Sequence, residues 1–188
     1  MDDDEITQLA WAARAGDRDA ATSFIHATSA QLRGVLRHLA GSEQAEDLAQ
    51  ETYLRAFAGL PRYAGDAPAR LWLLSIARRV AADQVRSTQR RPRASRVTPD
   101  DGMAALSASP GPAGRVELQR AVAALDADRR EAFVLTRVLG LSYAETAEVC
   151  ECAVGTIRSR VFRARVDLLH ALGVSGDEGA PGGGAALS

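Results

Sequence analysis

Residues 140–165 read GLSYAETAEVCECAVGTIRSRVFRAR, and this stretch decides the fold. Ser142-Tyr143-Ala144-Glu145 fits a capping box, in which the Ser142 oxygen accepts an orphan N–H while Glu145 reaches back to the cap. The helix it opens is short and ends near Cys150. After a tight connection, Val154-Gly155-Thr156-Ile157 opens a longer helix that runs to about Leu172. Short helix, short turn, longer helix is the helix-turn-helix arrangement, whose second helix enters a DNA major groove. That helix carries Arg158, Arg160, Arg163 and Arg165, four positive charges in eight residues with no acid among them. Ile157, Val161, Ala164 and Leu168 form the opposing apolar stripe that seats it on its domain. An Arg near the helix N-terminus can reach guanine O6/N7, while flanking Arg and Ser hold phosphates. A solvated basic face explains the arginine spacing alone; the capped short helix and the turn favour a reader.

Working outward, Asp126 caps a preceding helix through about Leu139, which Gly140 ends. Upstream, apolar residues recur at helical spacing from about Glu5 to Gln89, predicting helices at about 5–15, 18–40, 43–60 and 68–89. The third carries Ala45, Leu48, Ala49, Thr52, Ala56, Phe57 and Leu60 on one side. The fourth opens with Pro68 at a first-turn position, where a missing N–H costs nothing. Its core side reads Leu73, Ile76, Ala77, Val80 and Gln84. Between the blocks, residues 91–114 hold four Pro and three Gly, too little apolar surface to offset ordering entropy, and are expected to be a flexible linker. Residues 173–188 are expected to be a disordered tail. The expected fold class is therefore all-α, with two small helical domains, at 1–90 and 115–172, joined by that linker.

Composition excludes several classes. The chain has 188 residues, 46% hydrophobic, and only two Cys, which rules out a disulfide scaffold. Its longest apolar run, Leu71 to Ala77, is far short of the roughly 20 residues of a membrane span. The acidic start, Asp2-Asp3-Asp4-Glu5, is unlike the basic start of a secretory signal. The expectation is a soluble cytoplasmic protein. All 23 basic residues are Arg, so no lysine is available for Schiff-base or acid–base chemistry. The net charge is −1, but Arg78 to Arg96 holds seven Arg against one acid, Asp83, a stripe suited to tracking phosphates. The Asp2–Glu5 cluster complements the dipole of the first helix; masking of the Arg stripe is the alternative.

Other clusters carry little. Cys150 and Cys152 cannot complete a four-ligand zinc site without nearby His or further Cys, so they are expected to pack as small apolar groups. A thiol redox pair is the rival reading. His26, His38 and His170 are isolated, and Asp100-Asp101 sits in the linker as a solvated pair. No catalytic residue, metal site or cofactor is expected.

The run Gly140-Leu141-Ser142-Tyr143 … Ala147-Glu148 … Val154-Gly155-Thr156-Ile157-Arg158-Ser159-Arg160-Val161-Phe162-Arg163-Ala164-Arg165 closely resembles the promoter-reading domain of extracytoplasmic-function sigma factors, members of the sigma-70 family of bacterial RNA polymerase subunits. The resemblance implies contact with the −35 element through Thr156, Arg158, Ser159, Arg160, Phe162 and Arg163. Asp47-Leu48-Ala49-Gln50-Glu51-Thr52-Tyr53-Leu54-Arg55 looks like the same family's polymerase-docking helix. There Asp47, Gln50, Glu51 and Arg55 would meet a coiled coil on the largest catalytic subunit, with the flap as a second contact. Asp47, Glu51 and Arg55 share one face at i, i+4, i+8; an ion-pair ladder worth tenths of a kcal/mol is the plainer explanation of that spacing.

The segment Arg62-Tyr63-Ala64-Gly65-Asp66-Ala67-Pro68-Ala69-Arg70-Leu71-Trp72-Leu73, followed by Ile76-Ala77-Arg78, is similar to the family's region for the upstream edge of the transcription bubble. It implies −10 contacts through Arg62, Tyr63, Gly65, Asp66, Ala67, Arg70, Trp72, Arg78, Arg79 and Arg86. A Gly-Asp loop between helices can present backbone groups to an extruded base. Trp72 has the alternative of a core position. Two residues depart from the family pattern. Val80 stands where relatives commonly carry Asn, and valine cannot hydrogen-bond a base edge. Glu151 stands where relatives often have Gly, and a left-handed backbone there costs about 1–2 kcal/mol, which predicts a different turn. The implied partners are core polymerase and promoter DNA; many relatives also have an anti-sigma protein, which no residue here identifies. The rival of another class is a helix-turn-helix regulator that binds its operator without polymerase.

Overall fold

The computed structural model describes residues 1–89 and 112–173. These are helical throughout, with no strand among the described residues. The first helix, α1 (Asp3–Arg14), starts earlier than the apolar pattern indicates, because Asp2 and Glu5 form a reciprocal capping box with bonds of 2.8 and 2.9 Å. The second, α2 (Arg18–Ala40), begins where the Asp17 carboxylate accepts from the N–H groups of Asp19 and Ala20, and stops at Gly41. The third, α3 (Ala45–Gly59), is flanked by single 3₁₀ turns at Ser42–Gln44 and Leu60–Arg62, the latter holding Pro61. The fourth, α4 (Ala69–Gln89), starts one residue later than the sequence pattern. Pro68 is the flanking residue, whose carbonyl accepts from Trp72 N–H at 3.0 Å, and the Thr7 hydroxyl accepts from Ala69 N–H at 3.1 Å.

In the second block, α5 (Pro112–Ala124) begins inside the stretch expected as linker, with Pro112 in its first turn, where no donor is lost. The rest of that linker up to Gly111, and the expected tail beyond Gly173, lie outside the described residues. Asp126 caps α6 (Ala127–Phe133) as expected, but the regular helix does not reach Leu139. It passes into a π turn at Val134–Val138, closed by Leu139 N–H on the Val134 carbonyl at 3.0 Å. The Ser142–Glu145 box opens α7 (Tyr143–Cys150), and α8 (Val154–Ala171) follows. The turn between them keeps the left-handed residue. Glu151 has φ 54° and ψ 44°, against the expectation that a non-glycine would change the turn type.

Packing follows the apolar faces. Phe24, Leu32 and Leu36 of α2 meet Ala49 and Ala56 of α3 and Leu73 and Ala77 of α4. Each fully buried leucine contributes about 1.5–3 kcal/mol relative to exposure. A smaller cluster joins Val122 and Leu125 of the α5 end to Phe133, Ala164 and Leu168. The buried face of α4 is wider than expected, adding Leu71, Leu74 and Ala81, and α7 packs on this helix together with α1, α2 and α3. Leu135, Ala147, Val149, Cys150 and Ile157 belong to the same continuous core as the first four helices. The two blocks therefore share a core, which the picture of domains on a tether does not convey.

The α3–α4 loop is tied down from beneath. The Tyr63 hydroxyl donates to the Ala67 carbonyl at 2.5 Å, and Arg14 donates to the Tyr63 carbonyl at 2.9 Å. Gly65 has φ +83°, and a Cβ there would stand 2.7 Å from Cζ2 of Trp11. Gly140, at φ +76°, has nothing within 4 Å of a Cβ. Gly140→Ala is thus expected to cost about 1 kcal/mol from backbone strain alone, and Gly65→Ala about 2–3 kcal/mol. Urea unfolding of both variants checks this; equal losses would show that Trp11 yields freely.

Candidate functional site

Three surfaces carry the residues singled out by sequence. The first is the outer face of α8. Its inner stripe, Ile157, Val161, Ala164 and Leu168, is buried to between 0% and 5% exposure, as the periodicity requires. The opposite side presents Arg158, Ser159, Arg163 and Arg165 to solvent, with Phe162 67% exposed among them. A bare phenyl ring on a solvent face makes no contribution to the core, and here it shares its helix with the exposed Arg158, Arg163 and Arg165. Thr156 is half-buried in the first turn. Arg160 is turned sideways, forming an ion pair with Asp128 and standing 3.9 Å from the Cys152 sulfur. Val154 and Gly155 leave the helix N-terminus open, where unpaired N–H groups attract anions.

The second surface is the outer face of α3. Asp47 and Gln50 are exposed, and Arg55 donates to Glu51 at 2.7 Å and to Asp83 of α4 at 3.2 Å. Asp83 also accepts from Arg86 at 2.5 Å, and these two guanidinium groups hold its carboxyl below the usual range. The ladder expected from spacing is therefore real, and it extends to α4. Leu54 lies on this face at 68% exposure. Sequence reading passed over it, although its positions three after Glu51 and seven after Asp47 place it with them.

The third surface surrounds the α3–α4 loop. A cleft of about 340 Å³ is lined by Arg55, Gly59, Arg62, Tyr63, Trp72, Ile76 and Arg79. Tyr63 forms its floor, its ring centroid 4.9 Å from Trp72 and 5.3 Å from Trp11. Trp72 is half-buried, so it serves the core with one edge and the cleft with another. Burial pushes the Tyr63 phenol upward, and it stays a neutral donor. Gly65 and Asp66 are exposed at the loop tip and Ala67 is half-buried. Trp11 and Arg14, from α1, support this loop through space and had no local signal. Val80 is 2% exposed and packs in the core, so it faces no base.

The remaining arginines of α4 are not free. Arg70 makes two bonds to Asp3, at 2.5 and 2.8 Å, and lies 3.5 Å from Glu145. Asp2 caps α1, and Asp3 pairs with Arg70, which lies outside the Arg78–Arg96 stripe. Arg78 Nε stands 2.6 Å from Glu131 Oε1 in a close ion pair, and Arg79 pairs with Glu151. Burial raises Glu131, against the opposing pull of Arg78. Arg130, drawn down by burial, donates to the carbonyls of Ala123 and Leu125 and reaches Leu39 of α2. Cys150 is buried, and its thiol is pushed up to about 12, where it is inert as a nucleophile. That is the apolar packing role expected of it. Among the described residues, no group of three or more His, Cys, Asp or Glu is placed to hold a metal, and no helix is long and apolar enough to cross a membrane.

This arrangement matches known proteins along most of its length. The family described as Sigma-70 region 2 matches residues 24–91, and Sigma-70, region 4 matches residues 115–168. The ECF RNA polymerase sigma factor SigC of Mycobacterium tuberculosis is 44% identical over 169 residues, covering 89% of this chain and 91% of that protein. Among solved structures, CnrH in complex with the cytosolic domain of CnrY aligns with TM-score 0.69 at 27% identity, over 93% of this chain and 99% of that one. The sigma factor RpoE of Bartonella quintana, in complex with the anti-sigma factor NepR, gives TM-score 0.67 at 29% identity, over 82% and 97%.

The raised midpoint of Glu131 has a definite sign. The folded chain takes up this proton before the unfolded chain does, so Glu131's contribution to stability grows as pH falls through the folded midpoint. At neutral pH its ionised form is a cost that Arg78 offsets in part. Carboxyl-carbon NMR is expected to place the Glu131 midpoint above that of free glutamate; a midpoint at or below it contradicts this.

Proposed function

The chain belongs to the sigma-70 family of bacterial RNA polymerase sigma factors, in its extracytoplasmic-function group, and we propose that it directs core polymerase to promoters by engaging a −10 and a −35 element with its two helical blocks. Sigma factors are non-catalytic initiation factors, so the task of each residue is binding rather than bond making. The observation that carries the reading is the division of α8 into a buried apolar stripe and an exposed face of Arg158, Ser159, Phe162 and Arg163. In the major groove of the −35 element, Arg158 reaches a guanine edge and Phe162 meets a thymine methyl. Thr156, Ser159 and Arg163 hold phosphates and set the register, with Arg160 positioned from the side by Asp128.

At the −10 element, the loop from Tyr63 to Pro68 and the cleft beneath it take an extruded base. Tyr63 and Trp72 supply aromatic surface, Arg62 and Arg79 supply charge, and Gly65, Asp66 and Ala67 supply backbone and side-chain polar groups. Arg70, Arg78 and Arg86 continue along the phosphates. The α3 face, with Asp47, Gln50, Glu51, Leu54 and Arg55, docks on the coiled coil of the largest polymerase subunit, and the second block meets the flap. The protein then works where polymerase works, in the cytoplasm. An anti-sigma protein is a further partner class, supported by the complex of the similar RpoE with NepR.

Transcription in vitro with core polymerase on a promoter library tests the reading: initiation is expected to depend on the chain. In that assay Arg158→Ala is expected to cost about 1–3 kcal/mol of −35 discrimination. Unchanged selection among −35 sequences would remove Arg158 from the reading head. Leu54→Ala is expected to weaken core binding about tenfold while leaving the unfolding midpoint alone, because its side chain is buried only on docking. Unaltered core affinity counts against the docking face.

A further inference from the structure

The loop from Tyr63 to Pro68 is gripped by α1. Arg14 donates through Nη1 to the Tyr63 carbonyl at 2.9 Å, and its guanidinium carbon stands 5.1 Å from the Trp11 ring centroid. Trp11 lies against Tyr63, with ring centroids 5.3 Å apart, and so close beneath Gly65 that a Cβ there would meet Cζ2 at 2.7 Å. The Thr7 hydroxyl accepts from Ala69 N–H at 3.1 Å, and Asp3 holds Arg70. One helix thus fixes the loop at its start, at its tip and where it feeds α4. Tyr63 closes it from within by donating to the Ala67 carbonyl at 2.5 Å. The Tyr63 and Ala67 carbonyls are therefore engaged inside the protein, while Ala64, Gly65 and Asp66 stand exposed between them.

Arg14 is the member of this arrangement that the core does not need. It is exposed in the last turn of α1, where an arginine can serve the carbonyls of its own helix end. Instead it reaches a carbonyl 49 residues away in sequence. A charge-assisted bond holds a backbone group more firmly than a neutral one, and the Trp11 face keeps the guanidinium from swinging off. A loop fixed before its ligand arrives loses little further entropy on binding, and it cannot reshape itself around a wrong base. We infer that Arg14, seated on Trp11, is a positioning residue of the −10 loop: α1 holds the loop in its base-receiving form in the free chain and so contributes to −10 selectivity without contacting DNA. The inference rests on the promoter reading above and deepens it.

The test uses the full chain with Arg14→Met, which keeps an unbranched side chain over Trp11 without a donor, and Arg14→Lys, which keeps a charged donor. Arg14 lies outside the buried core, so both variants keep the fold. The first measurement is backbone amide relaxation by NMR on the free chain. Order parameters at residues 64–67 are expected to be about 0.85 in the wild type and Arg14→Lys, and below about 0.6 in Arg14→Met. Unchanged order in Arg14→Met overturns the inference. The second measurement is initiation with core polymerase on promoters varied at −10 or at −35, across a salt series. Arg14→Met is expected to lower discrimination among −10 sequences about tenfold and to leave −35 discrimination alone, with Arg14→Lys close to wild type. Loss of −10 and −35 discrimination together marks a general structural role. Uniform weakening across −10 sequences, with a salt slope smaller by about 0.7, marks a direct phosphate contact. Either result overturns the positioning role. If no chain initiates while the loop still loosens in Arg14→Met, the hold of α1 on the loop stands and the promoter reading falls.

Discussion

The packing of α4 is the constraint on which the rest depends. One side of this helix, through Leu73 and Ala77, closes the core with α2 and α3, and another receives α7. Ala77 and Val80 are small enough to let a second helix approach, and Cys150 and Val149 fill the space opposite. From that double contact follow the position of the α3–α4 loop, the cleft between Arg62 and Arg79, and the level at which α8 stands above the first block. Remove the α7 contact and the first four helices still have a core. The second block would then lose the surface against which Leu135, Val149 and Ile157 are buried.

Charge is arranged around that packing. A net charge of −1 looks unsuited to nucleic acid, yet α4 and α8 carry four arginines each, and the acids that balance them are placed differently on each. On α8 the arginine face is mostly open. On α4 the arginines are held by carboxylates of the same chain, including Glu131 in a nearly dry site. Of these, the Arg79–Glu151 pair is exposed on both sides and contributes about 0–1 kcal/mol. The same balance implies weak binding of free DNA by the isolated chain, since nonspecific affinity grows with the phosphates neutralised.

Much of the fold was legible because its signals are local. The Ser142–Glu145 box, the Asp126 cap and the stripe from Ile157 to Leu168 are each fixed by residues within a turn or two. So is the Asp47–Arg55 face. What escaped reading depends on partners distant in sequence. Nothing near Gly65 announces that Trp11 lies beneath it, and nothing near Arg78 announces Glu131. The π turn at Val134–Val138 is invisible to a 3.6-residue period, which reads straight through it. Glu151 was misread for an instructive reason: propensity weighs against a left-handed glutamate, but the Glu151 and Cys152 N–H groups close the end of α7 on the carbonyls of Glu148 and Ala147, at 3.1 and 3.0 Å. Leu54 was overlooked because an apolar residue is assumed to point inward unless its face is checked.

The central claim is that the two blocks share one core in the free chain, closed on α4. Dyes attached through introduced unnatural residues at the exposed positions Ala58 and Leu169 report the separation by single-molecule energy transfer. The account predicts one short-distance population in the free chain. A broad or long-distance population in the free chain would contradict it.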